Sequence, residues 1–166
     1  MKIAFLIISF LLDGIISVNL SQNTIFLPLF ALLSIVLIYP TFRTDKHNIY
    51  LLIAASIGLL YDIVYMNTLF LNAVIFTGLG YICIKIFSVL PVNILNTYVV
   101  SFAIVVIYRI AIFLFLALIQ AISFDVTSLF YSVVNSFILN LIYVSIGYLI
   151  IKKINGMNKI ALSKKV

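Results

Sequence analysis

The chain has 166 residues, 66% of them hydrophobic and 8% charged, with a formal net charge of +6 and a mean hydropathy of +1.35. A water-soluble domain carries roughly 25% charged residues, so this chain cannot clothe itself in polar surface and reads as an all-α integral membrane protein. At about 20 residues per crossing the length allows six transmembrane helices in one compact bundle and no sizeable soluble domain.

Six apolar runs follow in order, at about residues 3–20, 24–39, 49–65, 68–87, 92–120 and 129–151. The first begins after Lys2 and resembles a signal peptide. Asp13 interrupts it and no small-residue cleavage site follows, so it is read as a retained span. The second has Pro28 in its expected first turn, where proline is tolerated. Arg43, Asp45, Lys46 and His47 make the most polar interior stretch, and Pro91 with Asn93 marks the turn before the fifth span. A basic cytoplasmic tail, residues 152–166, closes the single domain.

With six crossings, Lys2, Arg43, Lys46, Lys85 and the five tail lysines all fall on one side and no basic residue falls in the opposite loops. That asymmetry places both termini in the cytoplasm. It also accounts for the net charge without nucleic acid, since the basic residues sit at segment ends and form no phosphate-tracking patch. Tyr39, Tyr50, Tyr98 and Tyr148 are expected near the inner interface, and Tyr65, Phe70 and Tyr131 near the outer one.

Charged residues inside the spans are the informative ones, because a charge at the bilayer centre costs about 2.5–3.5 kcal/mol on insertion scales. Counting about 1.5 Å per residue from the cytoplasmic ends puts Asp13, Asp62 and Arg109 roughly 17, 21 and 24 Å into a core of about 30 Å. Opposite charges at matched depth predict that Arg109 bridges to Asp62, Asp13 or both. Gly58, one turn before Asp62, is small enough to let another helix approach. Ser9, Asp13 and Ser17 recur every four residues, and Ser132, Ser136, Asn140, Tyr143 and Gly147 form a stripe on the last span with Asn135 beside it. Asp13, Gly58, Asp62, Arg109 and Asn140 are therefore expected to form an intramembrane polar seam, either as glue between helices or as a recognition face for a partner's helix.

Catalytic chemistry finds little support. The four aspartates, one histidine and one cysteine, with no glutamate, offer no nucleophile beside a base, no zinc-ligand spacing and no phosphate cradle. No catalytic residue, cofactor or metal site is expected. Cys83, alone in an apolar run, reads as a small buried hydrophobe without a disulfide.

Gly58-Leu59-Leu60-Tyr61-Asp62 resembles the glycine-leucine-leucine-x-aspartate motif at the outer end of the third span in the rod shape-determining MreD family. Asp13-Gly14 resembles that family's acidic residue and glycine late in the first span, Pro28 its proline opening the second, and Asn140-Leu141 its asparagine in the last. The segment Met66 to Phe70 departs from the family in lacking a glycine just after the aspartate, and no family arginine corresponds to Arg109. The resemblance implies a non-enzymatic scaffold subunit of the bacterial cell-elongation and peptidoglycan-synthesis machinery in the cell membrane. Its implied partner is MreC, with one membrane helix, and through it RodA, a class B penicillin-binding protein and, in rods, the MreB filament. The rival is the substrate-binding subunit of an energy-coupling-factor importer. Its alanine-x-x-x-alanine docking face is missing here, since Ala4 is followed four residues on by Ile8 and Ala31 by Ile35.

Overall fold

A computed structural model describes residues 2–20, 28–42, 46–66, 68, 70–120 and 126–163. Among these the chain forms six helices and no strand: α1 (Lys2–Leu20), α2 (Phe30–Ile38), α3 (His47–Tyr61), α4 (Leu71–Val89), α5 (Ile94–Leu118) and α6 (Val126–Ser163). A 3-10 turn, Tyr39–Thr41, extends α2, and a wider π turn, Asp62–Met66, extends α3. Four helical stretches among the described residues are long and apolar enough to cross a membrane: His47–Met66, Leu71–Val89, Ile94–Leu118 and Leu129–Ile154. The other two expected spans fall on α1, with 19 residues, and on the much shorter α2.

The second span differs most from the sequence expectation. Residues 24–27 lie outside the described residues, and α2 starts only at Phe30, so Pro28 precedes the helix instead of occupying its first turn. From Phe30 to Thr41 the chain advances about 18 Å, well short of a bilayer core of about 30 Å. Every residue of α2 is buried, as befits a segment that is apolar all round. It is the central post of the bundle.

α1 and α2 run antiparallel and are tied at both ends. At one end Lys2 Nζ donates to the Thr41 carbonyl at 2.6 Å and lies over the Phe42 ring. At the other, Asp13 meets the first turn of α2. Eleven residues separate Lys2 from Asp13 and eleven separate Phe30 from Thr41, so the two ties are in register. Asn93 caps α5 by accepting from the Asn96 amide at 2.7 Å, the usual role of asparagine ahead of a helix. α4 starts at Leu71, three residues later than expected, because Phe70 takes a left-handed conformation with φ 61°. α6 continues as a helix to Ser163, carrying Lys152, Lys153 and Lys159 beyond the expected end of the last span.

The aromatic residues divide between surface and core. Phe70 and Tyr131 are exposed. Tyr50, expected at the inner interface, is instead wholly buried, and its hydroxyl donates to the Ile35 carbonyl of α2 at 3.1 Å. The tyrosine braces α2 because a buried phenol needs an acceptor and the last turn of α2 supplies one.

Candidate functional site: two aspartate caps inside the bundle

A helix start leaves its first amide N–H groups without helical partners. Inside a bilayer no water can satisfy them, and each buried orphan costs about 1–3 kcal/mol. Asp62 solves this for α4. Its Oδ1 accepts from the Asn72 amide at 2.9 Å, the Asn72 Nδ2 at 2.9 Å and the Thr68 hydroxyl, while Oδ2 accepts from the Ala73 amide at 3.0 Å. Negative charge at a helix N-terminus also gains from the helix dipole. The carboxylate, Asn72 and Tyr108 are all buried, and the Tyr108 hydroxyl donates to Asn72 Oδ1 at 2.9 Å. One network thus joins α3, α4 and α5.

Gly58 makes this geometry possible. It precedes Asp62 by one helical turn, on the same face of α3. A Cβ on Gly58 would lie 2.7 Å from Ala73 Cα and 2.8 Å from the Ala73 amide nitrogen, and closer still to the Asn72 carbonyl oxygen. Any larger residue would push the start of α4 away from the carboxylate that caps it. The glycine and the aspartate are one device: the first admits the neighbouring backbone, the second satisfies its amides.

Asp13 does the same for α2. Oδ1 accepts from the Phe30 amide at 2.7 Å and Oδ2 from the Ala31 amide at 2.8 Å, repeating the split of two oxygens over two successive amides seen at Asp62. Asn140 of α6 completes the cap, its Oδ1 accepting from the Leu29 amide at 3.0 Å. Three consecutive amides at a helix start deep in the bundle are therefore satisfied by two other helices. Beside Asp13, Gly14 leaves room for Tyr65, whose hydroxyl donates to the Phe10 carbonyl at 2.7 Å. A Cβ on Gly14 would lie 2.5 Å from that hydroxyl oxygen.

The inward stripe on α6 is present where it is described. Tyr143 shares a 2.5 Å hydrogen bond with Ser9 and stacks on Phe30 with ring centroids 4.4 Å apart. A Cβ at Gly147 would strike Leu37. The side chains of Ser132 and Ser136 lie outside the described residues.

Arg109 follows Tyr108 on α5, is half-buried, and acts electrostatically on Asp13, Tyr61 and Tyr108. The expectation of a bridge from Arg109 to the acids did not include the capping of helix starts by both carboxylates. The hydrogen bonds described for Asp13 come from backbone amides, and those for Asp62 from amides, Asn72 Nδ2 and Thr68. Asn72, Thr68 and Tyr108 were not expected in the site. A polar residue in the first turn of an apolar helix, such as Asn72, is the signal that could have found them. No group of three or more His, Cys, Asp or Glu side chains suited to a metal ion occurs among the described residues.

No curated protein and no solved structure matches the chain. The family model for rod shape-determining protein MreD, however, matches residues 1–154, a stretch that holds both capped helix starts and the whole apolar bundle. The chain belongs to the MreD family of rod shape-determining proteins and is a membrane protein.

Proposed function

We propose that this protein is a non-enzymatic scaffold subunit of the cell-elongation machinery, which binds MreC within the membrane and through it supports RodA, a class B penicillin-binding protein and MreB in peripheral wall synthesis. The observation that carries the reading is how the intramembrane acids are used. Both carboxylates accept from helix starts through each of their oxygens, so their chemistry goes into holding a rigid helical body. A rigid apolar body whose helices expose large hydrophobic faces suits recognition between helices. Membership of a shape-determining family supplies the cellular context.

Both termini lie on the cytoplasmic side in this proposal. The antiparallel α1–α2 pair returns the chain to the side of Lys2, and four long helices then alternate in direction, which brings the α6 lysines back to that side. The test is co-purification of the full-length protein from native membranes in mild detergent. A near-stoichiometric single-span partner with a soluble extracytoplasmic domain is expected. Recovery of ATPase subunits and a retained small molecule would overturn the scaffold reading in favour of an importer.

A further inference from the structure

The end of the bundle where Lys2 meets Thr41 collects positive charge. Lys46 stands there ahead of α3, and the Tyr39–Phe87 ring stack brings the end of α4, with Lys85, to the same level. The two carboxylates that the structure describes, Asp13 and Asp62, are engaged at the opposite end, on the starts of α2 and α4. Asp45 and Asp125 lie outside the described residues. A pocket of about 450 Å³ opens at the basic end between α1, α3 and α6, over the last turn of α2. Leu6, Ile38 and Ile154 are its buried apolar floor, and Ile3 at its mouth is 67% exposed. Lys2 also lines it and is half-buried.

The Lys2 ammonium gives one N–H to the Thr41 carbonyl and lies over the Phe42 ring, and an ammonium has three donors to give. Burial, and after it the like charge of Lys46, push it below its ordinary pKa. An anion set between the two lysines would relieve that repulsion. Depth then separates the candidates. Lys2 opens α1, and Leu6 lies one turn deeper, about 6 Å along the helix, so a cation at the rim gives way to an apolar floor within one turn. Basic pockets between helices at a membrane face suit anionic headgroups. A soluble anion would use the lysines and leave the floor empty. A zwitterionic lipid would fill the floor, but its own cation would oppose the lysines. Only an anionic phospholipid answers both features.

We propose that this pocket binds one anionic phospholipid, with its headgroup phosphate between Lys2 and Lys46 and an acyl chain along Leu6, Ile38 and Ile154. The assignment is independent of the partner reading above. Native mass spectrometry of the delipidated full-length protein tests it, with phosphatidylglycerol and phosphatidylcholine added separately. One phosphatidylglycerol is expected to be held about tenfold more tightly than phosphatidylcholine. Lys2→Gln should weaken it about fivefold, the equivalent of about 1 kcal/mol for one lysine at an anionic surface, and Lys2→Arg should keep it. Lys85→Gln removes the same charge from the same end but outside the pocket lining, and should leave retention nearly unchanged. Ile3→Trp, at the exposed mouth, keeps every charge and should also weaken retention, which decides the matter should Lys2→Gln fail to accumulate. Equal losses in Lys2→Gln and Lys85→Gln would mean a diffuse basic surface and overturn the site. So would equal retention of the two lipids. Displacement of phosphatidylglycerol by inorganic phosphate would mark a plain anion site and overturn the lipid assignment. Lipid selectivity that appears only in Asp45→Asn would give the lysines to that aspartate, with the same consequence.

Discussion

The α1–α2 and α3–α4 pairs carry the same device on different supports. In each, an aspartate on the first helix divides its two oxygens between successive amides of the second, Phe30 and Ala31 in one pair, Asn72 and Ala73 in the other. At Asp62 the supporting donors are near in sequence: Thr68 and Asn72 lie within ten residues. At Asp13 the cap is completed by Asn140, 111 positions from the Leu29 amide it accepts from. The α3–α4 cap can therefore close as a local hairpin, whereas the α2 start waits for the last helix to arrive. That contrast makes α3–α4 the self-sufficient half of the bundle and α1–α2 the half that depends on assembly.

The largest effects should come from removing either carboxylate. Asp62→Leu or Asp13→Leu strands two buried amides at about 1–3 kcal/mol each. Both variants are expected to be strongly depleted in membranes by immunoblot, and normal abundance of either would break the comparison at its root. Asp→Asn substitutions sharpen it. An asparagine keeps one acceptor oxygen, which at Asp62 would retain the three Oδ1 bonds and at Asp13 only one. Asp13→Asn should thus lower the unfolding midpoint in detergent more than Asp62→Asn, and the reverse order would contradict the account.

Gly58→Ala should cost about 1–3 kcal/mol by overpacking against the start of α4. Gly78→Ala is its control, since a Cβ there meets nothing within 4 Å and helix propensity favours alanine by up to about 1 kcal/mol. Equal behaviour of the two glycines in thermal unfolding would remove the close-approach argument. Asn140→Leu is expected to cost about 1–3 kcal/mol through the stranded Leu29 amide. Limited proteolysis should show it loosening α1–α2 while α3–α4 stays protected. The smallest effect belongs to Tyr108→Phe, about 0.6 kcal/mol for one interhelical bond, read as a slight drop in the same midpoint.

Much of this was legible in the residues. Gly58 and Asp62 one turn apart, Asp13 in an apolar run and the α6 stripe through Asn140 and Tyr143 all pointed to buried contacts between helices, which is where the structure puts them. What sequence could not convey was the role of the backbone: amides, identical at every residue, leave no trace in the sequence, so the helix starts that the two carboxylates cap could not be read from it. Nor does hydropathy reveal that α2 is short and enclosed on all sides. Tyr50 was placed at the interface for a similar reason, since nothing local reveals that the Ile35 carbonyl lies within reach.

The most direct test is amide NMR of the full-length protein in lipid nanodiscs, with Asp13→Asn and Asp62→Asn beside the parent chain. Carboxylate-bound amide protons of Phe30, Ala31, Asn72 and Ala73 are predicted far downfield, and each substitution should move its own pair upfield while leaving the other in place. Ordinary helical shifts at these four amides, unmoved by either substitution, would contradict the claim that the two aspartates hold the helix starts.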